Sequence, residues 1–196
     1  MKRGGIKVEI KREKAFELLK EYVESHSLIK HCLAVEASMM GYAKKLGEDV
    51  ETWASCGLLH DIDFEKHPEE HPLVGVEILR EKGYPEDFVM AVKGHGDHTN
   101  TPRETIMAKT LYAVDELSGF VIACVLVRPN RFEGLKVKSV KKKLKDKAFA
   151  KAINRDQIKK SAEELGVDLT EHIQTVIDSL VQREKELKEV GLSLID

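Results

Sequence analysis

The chain has 196 residues and a formal net charge of −2, so it lacks the basic surplus of a general nucleic-acid binder. Its length suits one domain with a full core, and its longest apolar run, residues 120–127, is too short to span a membrane. Cys32, Cys56 and Cys124 are odd in number and lie far apart in apolar surroundings. With no leader pattern at the start, they read as reduced thiols of a cytoplasmic protein, not a disulfide framework.

In chain order, EKAFELLKEYVE, residues 13–24, places apolar side chains at helical spacing. Ser27 offers a cap for a second helix, LIKHCLAVEASMMGYAKKLG, which Gly47 ends. A third is expected from about Glu51 to Asp61. A fourth, PLVGVEILREKG, starts at Pro72 and stops at Gly83, and PEDFVMAVKG makes a short fifth. Thr101-Pro102-Arg103-Glu104 reads as a capping box with proline at the first helical position. It predicts a helix through Asp115 towards Val127, stopped by Pro129. VKSVKKKLKD, a segment over about 155–165 ending at Gly166, and a long helix from about Thr170 to Val190 complete the pattern. No alternating run supports a sheet, and no repeat or flexible linker divides the chain. The expectation is one all-α domain, its core over about 13–128 and a helical cap or subdomain over about 129–196.

The histidines carry the functional information. Six of the eight, His31, His60, His67, His71, His95 and His98, fall between residues 31 and 98. His31 lies within the second helix, His60-Asp61 ends the third, His71 opens the fourth and His95 follows the fifth. Asp115 interrupts the apolar stretch LYAVDELSG. A single histidine on a half-apolar helix is more often a satisfied core residue than a ligand. Taken together, several imidazoles and two carboxylates on different helices can meet only in a bundle core, where helical proteins build metal sites. Mixed imidazole and carboxylate donors suit Fe, Mn, Zn, Ni or Co. His26 and His67 have polar surroundings and are expected in solvent; His172, near a helix start, is expected at the surface.

The order His31, His60-Asp61, Asp115, with flanks LIKHCLAVEA, CGLLHDID and LYAVDELSG, resembles the HD-domain superfamily of metal-dependent phosphohydrolases. The resemblance covers about residues 27–120, and the segment HPLVGVEILREKGYPEDFVMAVKGHGDH is similar to the branch with extra histidines for a second metal. It implies a helical bundle. It also implies that His31, His60, Asp61 and Asp115 hold one divalent transition-metal ion, and that Asp61, His71 and His95 hold a second. Relatives with two metals read HDIGK, whereas Asp63 and Phe64 stand here in place of the Gly and Lys. That removes one phosphate-facing cation. Gly83-Tyr84-Pro85 precedes His95 and reads as a helix junction, so cyclic-dinucleotide hydrolysis is unsupported.

The implied chemistry is hydrolysis of a phosphate ester, with a nucleotide or other small phosphorylated compound as substrate and Asp61 and Asp63 at the catalytic step. Asp63 or Glu65 is suited to order a water or a histidine ligand, the alternative being a solvated acidic loop. Arg128, Lys138 and Lys141 are candidate contacts for the substrate's anionic group, the alternative being a solvated basic helix face. An aromatic content of 6% without basic-aromatic interleaving argues against a nucleic-acid platform. Two other readings remain open on these residues: a di-iron oxygenase of the same fold, and a metal-binding sensor without catalysis.

Overall fold

The computed structural model describes residues 9–196, which form nine α-helices, one 3-10 turn and no strand. The helices are α1 (Arg12–Tyr22), α2 (His26–Leu46), α3 (Val50–Leu59), α4 (Leu73–Glu81), α5 (Glu86–Gly94), α6 (Ile106–Leu126), α7 (Val137–Lys145), α8 (Arg155–Leu165) and α9 (Leu169–Glu189). The first residues of the stretch on which a missing leader is read, 1–8, lie outside the described part. Among the described residues no helix is long and apolar enough to cross a membrane.

Helix α2 packs against α3, α6 and α9 at once, which is why its residues 32–39 are buried without a break. Ile173, Val176, Ile177 and Leu180 bring α9 into that same core. All three cysteines are buried and unpaired there. Burial pushes the Cys124 thiol up to about 11, so it stays protonated.

Two close approaches hold the frame. Gly57 of α3 lies so near α2 that a Cβ would stand 2.8 Å from the backbone N and Cα of Glu36. The Glu36 side chain is fully buried and accepts from Arg12 Nε of α1 at 2.5 Å and Arg183 Nη2 of α9 at 3.0 Å. A buried carboxylate is tolerated because two guanidinium groups pair it.

Several ends differ from expectation. Ser25, not Ser27, caps α2, accepting from the Leu28 N–H, while Ser27 Oγ bonds Ser25 Oγ at 2.9 Å. Helix α6 starts at Ile106 under the Thr105 cap rather than at Thr101. The reason is Arg103: its guanidinium bonds Gly94 O at 2.8 Å and the Glu164 carboxylate at 2.8 and 3.0 Å, tying this segment to α5 and α8. Gly83, at φ +83°, ends α4 and Pro85 opens α5, as the junction reading requires.

His172, expected at the surface, is completely buried. Its Nε2–H donates to Ala113 O at 3.0 Å, so Nδ1 is a lone pair, which accepts from Tyr42 O–H at 2.6 Å. Burial holds its pKa down, to about 4. The unfolded chain therefore takes up this proton first. The neutral histidine's contribution is complete above its unfolded pKa of about 6.5 and is lost as pH falls towards 4. Between pH 7 and 5 the wild type is expected to lose about 2 kcal/mol more unfolding free energy than His172→Gln. Urea titrations of both proteins at the two pH values measure this, and equal losses would contradict it.

Candidate metal centre

Two helices end in the same device. His60 is the C-cap of α3, and its Nδ1–H donates to Gly57 O at 2.8 Å. His95 is the C-cap of α5, and its Nδ1–H donates to Val92 O at 2.5 Å. Each ring donates to a carbonyl in the last turn of its helix. When neutral, each ring is thereby held in the tautomer whose lone pair is on Nε2. His71 reaches the same state another way: its Nδ1–H donates to Asp63 Oδ1 at 2.7 Å.

These lone pairs converge. His31 Nε2 lies 3.2 Å from His60 Nε2 and 3.0 Å from Asp115 Oδ1, and Asp61 Oδ2 lies 3.6 and 3.4 Å from the two imidazole nitrogens. On the other side, His71 Nε2 and His95 Nε2 are 3.0 Å apart, with Asp61 Oδ1 at 3.3 and 3.4 Å. One carboxylate thus offers an oxygen to each donor group.

The donors fit metal ions. In the second group the Nδ1 atoms of His71 and His95 already hold the proton, so their Nε2 atoms cannot hydrogen-bond to each other, and lone pairs facing at 3.0 Å repel. Two donors about 2.1 Å from a shared ion stand roughly 3.0–3.4 Å apart at octahedral or tetrahedral angles. Four histidines and two carboxylates on that spacing suit transition metals rather than Ca or Mg. The electrostatics agree. Burial disfavours a charged His60, yet the Asp61 and Asp115 carboxylates outweigh it and hold its pKa well above the ordinary histidine value. Burial likewise opposes ionisation of Asp61, but His60 and its neighbours pull its pKa well below the carboxylate range. The pocket attracts positive charge, as a proton or as a metal ion.

Around the donors, packing fixes positions. Asp63 is 1% exposed, and its Oδ2 accepts the Gly75 N–H at 2.6 Å. Both oxygens are engaged, so Asp63 is neither a solvated loop residue nor free to meet a water; it positions His71. Gly75 packs closely there: a Cβ would fall 3.1 Å from Asp63 Oδ1 and would press on that carboxylate. Glu65 is exposed and braces the turn before α2, accepting from the Glu24 and Ser25 N–H groups at 3.1 and 2.9 Å. His98 donates from Nε2 to His71 O at 2.7 Å, a brace that nothing in the sequence signals. Gly119 faces His31, and a Cβ there would make an ordinary contact 3.8 Å from its Nδ1. Glu116 beside the centre has its pKa raised by burial and by the charge of Asp115.

This convergence has a counterpart in known proteins: residues 28–119 match the model of the HD domain family. Residues 28–119 are an HD domain. HD domains bind divalent metals, and here the side chains that converge lie on this domain's α2, the α3 end, the approach to α4, the α5 end and α6. The uncharacterized protein MJ0778 of Methanocaldococcus jannaschii is 38% identical over 100 residues, which cover 48% of this chain and 59% of that protein. The chain thus spans less than two thirds of that relative's length. No solved structure gives a significant match.

The HD domain leaves the expected cations elsewhere. Arg128 lines a cleft with Cys124, Leu135 and Lys142, and its guanidinium bonds Arg131 O at 2.9 Å and Glu133 O at 2.6 Å. Lys138 and Lys141 line another cleft, on α7, and Lys141 Nζ bonds Thr170 Oγ1 at 2.6 Å. Neither cleft includes any of the six converging residues.

Asp63→Ala should release His71 and weaken the second ion's binding about 10- to 100-fold while sparing the first. Competition with a coloured chelator reads the two affinities separately. Unchanged affinity of the second ion would mean that Asp63 does not support the ligand.

Proposed function

We propose that the chain is a metal-dependent phosphohydrolase acting on a small phosphorylated compound. The observation that carries this reading is the placement of Asp61, with Oδ2 in one donor group and Oδ1 in the other. A carboxylate so placed would serve both donor groups, and two ions held there would stabilise the attacking and the leaving oxygen of a displacement at phosphorus. When bound, divalent ions supply Lewis acidity to a phosphoryl oxygen and lower the pKa of water. His31, His60, Asp61 and Asp115 would hold the first ion, and Asp61, His71 and His95 the second. Asp63, His98 and the Gly57 and Val92 carbonyls keep the rings in the required tautomer and orientation. The centre opens into a cleft of about 620 Å³ that has His31 and Asp61 among its walls, which gives a substrate access to the donors.

A di-iron oxygenase would use the same donors and differs in needing iron and dioxygen. The test is metal content of protein purified without oxygen, followed by turnover of phosphate esters with Mn, Fe, Co, Ni or Zn added. About two ions per chain and oxygen-independent release of phosphate are expected. Turnover only with iron and dioxygen would replace hydrolysis by oxygenation. Ions bound without either activity would leave a sensor, and failure to bind any metal would overturn the site.

A further inference from the structure

We infer that the substrate is a phosphomonoester whose esterified group is aromatic, seated on Phe64. This rests on the phosphohydrolase reading above. The cleft over the centre is lined by Ser25, Ser27, Leu28, Phe64, Glu65 and Pro68 beside the ligands His31 and Asp61. No Lys or Arg is among those lining residues. Cations beyond the metal ions favour a polyphosphate, and this wall offers a carboxylate instead; Lys30 lines the neighbouring cleft that shares Ser27 and His31. Just ahead of α2, the Glu65 carboxylate accepts from the Glu24 and Ser25 N–H groups, so this end of the cleft already carries a negative charge.

Phe64 stands where the resembling two-metal sequences carry lysine. Its side is 47% exposed, yet the ring is held at 87° to the His71 ring with centroids 5.2 Å apart. A fixed, half-exposed aromatic ring directly beside a metal-ligand candidate, with Leu28 and Pro68 on the same wall, is an apolar shelf at the reacting end of the cleft. Aromatic rings bind such shelves by burial and edge or offset contacts. The chain has thus exchanged a point charge for an aromatic surface, which trades affinity for extra phosphates against affinity for the ester group.

The test uses protein loaded with Mn(II) and titrated calorimetrically with phenylphosphonate, methylphosphonate, AMP and ATP. Phenylphosphonate should bind about tenfold tighter than methylphosphonate. Phe64→Ala, which removes an exposed side chain, should bring the two within about twofold. AMP separates the two sources of an aromatic group: a loss of about tenfold in Phe64→Ala points to a nucleobase, and no loss to an aryl group next to the phosphate. Equal binding of the two phosphonates, a preference that survives Phe64→Ala, or ATP binding tightest would overturn the inference while the metal centre stands. If neither phosphonate binds protein that holds its ions, the phosphohydrolase reading fails, and this inference falls with it.

Discussion

Asp61→Ala should empty the centre: metal content falls from about two ions per chain to well under one, and phosphoesterase activity drops by at least about 10³-fold. The size follows from the geometry. Asp61 Oδ2 stands 3.6 and 3.4 Å from His31 and His60, and its Oδ1 stands 3.3 and 3.4 Å from His71 and His95. Removing it leaves the second group with two imidazoles and no carboxylate donor. The first keeps His31, His60 and Asp115, and must hold a dication with a single carboxylate. His71→Ala and His95→Ala are milder by the same logic, taking the count from about two to about one. Elemental analysis after dialysis reads all three variants. Full occupancy in Asp61→Ala would remove the bridge from the proposal, and an unchanged count in His71→Ala or His95→Ala would remove that histidine from the second group. Asp61→Asn separates charge from shape, since the amide keeps the volume and hydrogen-bonds but does not neutralise a cation.

The six side chains that converge are legible in the sequence because imidazoles and carboxylates recur at helix ends and in apolar runs, and because their order and flanks resemble the HD-domain superfamily. An imidazole next to a carboxylate at the end of CGLLHDID has few bland explanations. What could not be read was everything that depends on distant partners. Asp63 lies in the acidic-looking stretch DFEKHPEE, and only the fold brings it under Gly75 and His71. His172 stands among the polar residues DLTEHIQ, and its partner Tyr42 is 130 residues away. The start of α6 was misplaced because Arg103 is drawn to Glu164, 61 residues on. Charge logic also suggested Arg128, Lys138 and Lys141, but charge carries no direction, and the structure puts them in clefts of their own. Helix existence followed from periodicity; caps and buried polar pairs followed from tertiary contacts.

Gly57→Ala joins the fold to the site. A Cβ there would stand 2.8 Å from Glu36 N and Cα and 3.0 Å from Val35 C, all backbone atoms that cannot turn aside. Helix α3 would have to move away from α2, loosening the packing around Trp53, Cys56 and the Glu36 pairs with Arg12 and Arg183. Overpacking of this kind is expected to cost about 3 kcal/mol, read as a lower urea midpoint with unchanged slope. The same shift carries Gly57 O, which orients the His60 ring by accepting its Nδ1–H at 2.8 Å. First-ion affinity should therefore fall together with stability, even though no ligand has been changed. Thr52→Ala is the control: it alters α3 away from both the crossing and His60, and should leave metal affinity intact. If Gly57→Ala loses stability but binds the first ion as tightly as the wild type, the His60 ring is held by something other than the crossing of α2 and α3. If it loses neither, the close approach itself is absent, and the two helices that present His31 and His60 do not meet as described.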